Sequence, residues 1–273
     1  MTTSFYSQAI LSLILVTSGC QTLKDSQDTS VTGEVDTELS VARAFLEGGR
    51  PDKALYELRP FLEKHPKNSA GQTLMGLTQL ALKNPTKAIH YFKTAWNLDG
   101  KAQDALNLSS AYIEANQLDS AQKIIIAGLA LKETPPYPHK ERFYHNLGLV
   151  AQMKGKKTAA EKAFKKALEE NPTFYLSRVQ LANLLLKNGK IEAARTQWEL
   201  ARNSCPGCLE PTENLARYYQ NKGDLKTALG LVVDFKKIEG IDPNEAKRAL
   251  EIESELAATR AKIAKEAAET KVR

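Results

Sequence analysis

The amino-acid sequence predicts an all-α fold: a right-handed solenoid of about six helix-turn-helix units, closed by a C-terminal capping helix. Three observations point there. A pattern of alternating small and large apolar residues recurs at a spacing of about 34 residues. Gly or Asn returns at one fixed place in that pattern, at Gly49, Asn116, Gly155, Gly189 and Gly223. The composition is 42% hydrophobic but only 7% aromatic, and rich in Ala, Leu, Lys and Glu, which favours helix.

The clearest unit is YHNLGLVAQMKGKKTAAEKAFKKALEENP, with Tyr144, Leu147, Gly148, Ala151, Ala160, Phe164, Ala167 and Pro172 at its key places. The next has Leu181, Ala182, Leu185, Ala194, Trp198, Ala201 and Pro206 in register. Upstream, the pattern finds Ala42, Phe45, Ala54, Leu58 and Phe61, then Gly76, Ala88, Phe92 and Ala95, then Ser109, Tyr112, Ala121, Ile125 and Gly128. A last copy carries Leu215, Ala216, Tyr219, Ala228, Val232 and Phe235. Small residues let the two helices of a unit approach, and large ones fill the space to the next unit. Between the helices the chain needs a left-handed residue, which Gly or Asn supplies at least cost. The second unit departs from this, with Lys83-Asn84-Pro85 in place of the glycine. The pattern resembles the tetratricopeptide repeat, and no single unit can bury its own apolar face, so the array folds by stacking.

The units are expected at 35–68, 69–101, 102–135, 141–174, 175–208 and 209–242. An extra TPPYPHKE separates the third from the fourth, and its prolines Pro135, Pro136 and Pro138 imply a bent or stiff joint. Residues 243–273 form the capping helix and tail, with a thin apolar stripe of Ala246, Ala249, Leu250, Leu256 and Ile263.

At the N-terminus, Ala9, Ile10, Leu11, Leu13, Ile14, Leu15 and Val16 make an apolar run that stops at Gly19-Cys20. A bilayer-spanning helix needs about 20 apolar residues, so residues 1–19 read as a signal peptide. An ordinary cut there would leave Cys20 as a free thiol in an oxidising compartment. The ending resembles the bacterial lipobox, whose cysteine is acylated and becomes the new N-terminus; plain secretion and an uncut anchor are the alternatives. Residues 20–34 are polar, without an apolar period, and read as a lipidated tether.

Net charge is +6, but Lys and Arg are interleaved with Asp and Glu, as on solvated helix faces rather than a phosphate-binding stripe. No nucleic-acid partner is expected. GKKT at Gly155 to Thr158 lacks the earlier glycine of a phosphate loop and falls at an inter-helix turn. His65, His90, His139 and His145 have neither ligand spacing nor a neighbouring nucleophile. With no catalytic motif, the chain is not expected to be an enzyme, nor to hold a metal, cofactor or small-molecule substrate. In CPGC, Cys205 closes a helix, the wrong end for stabilising a thiolate. A structural disulfide between Cys205 and Cys208 is the first choice, with redox or metal use as alternatives. The remaining functional surface is the groove lined by the first helix of each unit. Thr73, Leu77, Leu80, Leu106, Ile113, Leu149 and Met153 fall at its template positions and suit an amphipathic or extended peptide; the competing reading places some of them in the core between units.

A lipobox, a short polar tether, six such repeats and the CPGC between units five and six together resemble the type IV pilus pilotin lipoproteins. The resemblance implies a lipid anchor at Cys20 in the periplasmic face of the outer membrane. It also implies a secretin partner, whose subunits the protein helps to localise and assemble. A repeat scaffold for another envelope complex, serving β-barrel insertion or cell-wall hydrolases, keeps the same fold. A redox protein using Cys205 and Cys208 is the reading from another class.

Overall fold

The computed structural model describes residues 32–133 and 136–272. Cys20, its signal peptide, most of the tether and Pro135 lie outside them. The described residues form thirteen α-helices and no strand. They are α1 (Thr32–Glu47), α2 (Pro51–Lys64), α3 (Ser69–Ala81), α4 (Pro85–Asp99), α5 (Ala102–Glu114), α6 (Leu118–Leu129) and α7 (Lys140–Met153). There follow α8 (Lys157–Glu170), α9 (Tyr175–Lys187), α10 (Ile191–Ser204), α11 (Leu209–Asn221), α12 (Leu225–Lys236) and α13 (Pro243–Val272). The chain divides into two compact units, residues 1–160 and 161–273, with the boundary inside α8.

In the first unit α1/α2, α3/α4 and α5/α6 pack as pairs, and each second helix packs on the next first helix. The first helices also touch in series, α1 on α3, α3 on α5 and α5 on α7. In the second unit α9/α10 and α11/α12 are pairs, α10 packs on α11, and α13 packs on both α11 and α12.

The second helices show why these sequences bury one face. Ala54/Leu58/Phe61, Ala88/Phe92/Ala95, Ala194/Trp198/Ala201 and Ala228/Val232/Phe235 each recur at helical spacing and are all at most 2% exposed. Closeness is enforced by glycine. A Cβ built on Gly76 would meet the Phe92 ring at 2.5 Å, and one on Gly128 would meet Phe143 at 2.6 Å.

All six inter-helix turns close alike. Gly49, Asn116, Gly155, Gly189 and Gly223 have positive φ. So does Lys83, at 61°. The lysine therefore changes the residue but not the turn: its N–H donates to the Leu80 carbonyl at 2.9 Å and Asn84 N–H to Gln79 at 2.8 Å. The pattern matches Gly189 to Leu186 at 2.9 Å and Lys190 to Leu185 at 2.9 Å. This double bond satisfies carbonyls that a helix end leaves open. Pro85 then starts α4 with φ already set.

The capping helix corrects one expectation. Its buried stripe is Ala249, Ile252 and Leu256, packed with Leu225, Ala228, Val232 and Phe235. Leu250 and Ile263 are 53% and 52% exposed. Positions 249, 252 and 256 keep helical period, whereas Leu250 lies about 100° round from Ala249.

Two substitutions test this account of turn and contact. Lys83→Gly removes a side chain from a left-handed position and should stabilise the protein by about 1 kcal/mol. Gly76→Ala should destabilise it by roughly 1–3 kcal/mol through overpacking against Phe92. Thermal and denaturant unfolding read both.

Candidate partner-binding face of the first helices

The face in question belongs to α3, α5 and α7, which pack in series in the first unit. Of the seven residues expected to line a groove there, four are core. Leu80, Leu106, Ile113 and Leu149 are only 1–4% exposed. They are corrected to inter-helix packing, because the neighbouring helices already remove them from water. Thr73, Leu77 and Met153 are half-buried and remain on the surface.

The same helices carry a polar seam. Thr73 Oγ1 donates to Asp104 Oδ1 at 3.1 Å. Tyr137 Oη donates to Gln103 Oε1 at 2.9 Å, and Gln103 Nε2 donates to Asn107 Oδ1 at 2.9 Å. Asn146 Nδ2 donates to Ser109 Oγ at 3.0 Å and Ser110 Oγ at 3.1 Å. Both serines donate onward to the Leu106 carbonyl. Asn146 is fully buried, so these bonds offset the desolvation of its Nδ2, while its Oδ1 is buried without a hydrogen-bond partner. Glu133 caps α5 by accepting the Ala102 N–H at 2.6 Å. Tyr137 lies edge-on to Phe143 with centroids 5.8 Å apart. The connector between the third and fourth pairs is thus tied down at both Glu133 and Tyr137.

Groove reasoning missed Gln103, Asn107, Tyr137 and Asn146. A signal existed: Asn107, Asn146, Gln180 and Asn214 each stand two residues before the small residue of a first helix, at Ser109, Gly148, Ala182 and Ala216. Asn107, Asn146 and Gln180 at this recurring position are buried, and Asn107 and Asn146 both hydrogen-bond in the seam.

Burial sets the electrostatics. It pushes the Asp104 carboxyl and the Tyr137 hydroxyl above their ordinary values. It holds His145 down to about 3, so the imidazole is neutral. In the second unit, burial and then the nearby Glu213 and Glu245 carboxylates raise Glu210 to about 7. Glu213 and Arg217 of α11 are engaged within the second unit: Glu213 Oε1 accepts from Arg217 Nη2 at 2.8 Å and from Arg248 Nη2 of α13 at 3.0 Å. No group of His, Cys, Asp and Glu suited to a metal occurs among the described residues. Cys205, the C-cap of α10, and Cys208, the N-cap of α11, form a disulfide with Cα atoms 5.4 Å apart.

Family models described as tetratricopeptide repeat match residues 41–102, 79–139, 141–174 and 163–196, which together span more than half of the chain. The chain is a tetratricopeptide-repeat protein. Over 166 residues, 60% of its length, it is 24% identical to the type IV pilus assembly protein PilF of Pseudomonas aeruginosa. The matched stretch spans 65% of that relative, just under two thirds of it. The solved structure of P. aeruginosa PilF superposes with a TM-score of 0.60 at 21% identity, covering 78% of this chain and 95% of that one. PilW, described as a widely conserved type IV pilus biogenesis factor, gives 0.62 at 17% identity, covering 80% and 99%. Human IFIT1, solved as a dimer with PPP-AAAA, gives 0.59 at 18% identity, covering 80% of this chain and 52% of that one. At these identities the likeness to all three is one of fold.

Two predictions follow from burial. Leu80→Glu or Ile113→Glu should unfold the first unit, costing more than about 3 kcal/mol, because each puts an unpaired carboxylate into the core. Circular dichroism and melting measure the loss. The second concerns acid. The folded pKa of His145 lies below its unfolded value, so its contribution to stability is lost as pH falls below about 6.5, roughly 1–2 kcal/mol by pH 5. Glu210 has a raised folded pKa, so protonation between about pH 7 and 4.5 stabilises the second unit. Hydrogen exchange from pH 7 to 5 should show α7 loosening and α11 tightening. His145→Gln and Glu210→Gln should flatten the respective trends.

Proposed function

We propose that this protein is a lipoprotein of type IV pilus biogenesis, anchored through Cys20 in the periplasmic face of the outer membrane. There it binds secretin subunits and promotes their localisation and assembly. The observation that carries this reading is the sequence similarity to PilF, a type IV pilus assembly protein. The fold match over nearly the whole of the PilF and PilW structures supports it, as does the apolar run ending at Gly19-Cys20. Binding falls to the half-exposed Leu77, Met153 and Thr73 on the first helices, with the buried leucines behind them keeping that face rigid. This is a binding role, without catalysis.

Replacing Cys20 with Ala should release a folded protein from the outer-membrane fraction and lower the amount of assembled secretin. Leu77→Glu and Met153→Glu should weaken co-purification of secretin by roughly tenfold with little change in melting temperature, as for truncation of a central interface contact. An unmodified Cys20 in the mature membrane-bound chain overturns the anchor. Normal secretin assembly in a deletion strain overturns the partner.

A further inference from the structure

Three residues before the left-handed residue of each turn stands Leu46, Leu80, Ile113, Gln152, Leu186 or Gln220, and only between α9 and α10 is an aliphatic residue there exposed. Leu186 sits at the place held by Leu46, Leu80 and Ile113 in earlier pairs, each at most 4% exposed. Ile191 sits at the place of Leu225, which is 8% exposed. Leu186 and Ile191 are each 44% exposed. Every residue from 186 to 193 is exposed, so the two aliphatic side chains flank an open turn. Between them stand Lys187 and Lys190, which form no ion pair among the described residues. The acids close by are taken. Glu192 accepts from Tyr218 Oη at 2.8 Å and pairs with Arg195 at 3.1 Å and Lys222 at 3.5 Å. Glu161, which feels Lys190, is held by Lys165 at 2.7 Å.

We propose that the Leu186–Ile191 turn docks on an anionic phospholipid surface. Exposed aliphatic side chains beside lysines held in no ion pair match both halves of such an interface: the apolar groups enter the headgroup boundary and the ammonium groups meet lipid phosphates. Lysine stems reach outward while their bodies cover apolar surface, so burial of Leu186 and Ile191 leaves both charges in the headgroup layer. With the whole turn exposed, a deformable lipid phase can reach all four side chains at once, whereas a protein partner would have to supply a pocket for each aliphatic group. The inference does not depend on acylation of Cys20, which would only hold the turn near the surface.

The test uses the full chain with Cys20→Ser and an environment-sensitive nitrobenzoxadiazole dye on Asn188→Cys. The same dye on Glu239→Cys, at an exposed position outside this turn, reports any binding by other segments. Vesicles of phosphatidylcholine with a minority of phosphatidylglycerol should shift the Asn188 dye to the blue and leave the Glu239 dye unchanged. Pure phosphatidylcholine or high salt should largely remove the shift. The double variants Lys187→Gln/Lys190→Gln and Leu186→Ser/Ile191→Ser, both at exposed positions, should each weaken it about tenfold. The proposal is overturned if anionic vesicles leave the Asn188 dye unshifted, or if either double variant binds like the parent. It is also overturned if soluble polyglutamate produces the same shift, which would make the turn a site for an acidic polypeptide.

Discussion

Close approach of a helix backbone to an aromatic ring sets the spacing on which the rest of the first unit depends. Gly76 against Phe92 and Gly128 against Phe143 leave no room for a methyl group. With the helices this near, the alanines at Ala54, Ala88 and Ala121 become fully buried. Leu58, Phe92 and Ile125 of the second helices are likewise left with no exposed surface. Dispersion contacts weaken quickly with a gap of even an ångström, so a tight pair is also a stiff one. The polar seam tolerates burial only because its partners are held at fixed distance by this packing.

That seam gives the first unit a character its apolar pattern hides. Asn146 reaches two serines of α5, and Thr73 reaches Asp104, so α3 is hydrogen-bonded to α5 and α5 to α7. Apolar contacts alone permit neighbouring helices to slide, whereas directional bonds between named atoms select one register. The half-exposed Thr73, Leu77 and Met153 therefore sit on a platform whose parts cannot shift independently.

Local features were the legible ones. The triads of the second helices, a small residue followed by a large one four places on, follow from helical period alone, and each is buried where the period placed it. Turn positions were legible too, except that Lys83 departs in residue type while keeping the same positive φ. The face of the first helices was harder to read. Whether Leu80 or Leu77 meets water depends on how the next pair leans across α3, and nothing within α3 encodes that angle. The same limit explains the capping helix, where Ile252 rather than Leu250 reaches the core. Tyr137 was invisible because its partner, Gln103, lies 34 residues away in another element.

The bridge between Cys205 and Cys208 encloses only Pro206 and Gly207. Entropy restrained by a cross-link grows with the length of chain it closes, so so small a ring hardly narrows the unfolded ensemble. Helices α10 and α11 are joined by the backbone at this very point and pack on one another through their own side chains. Assembly of the second unit and oxidation of its thiols can thus proceed in either order. Closing so short a ring asks little of the chain; the cross-link fastens a corner that is already turned.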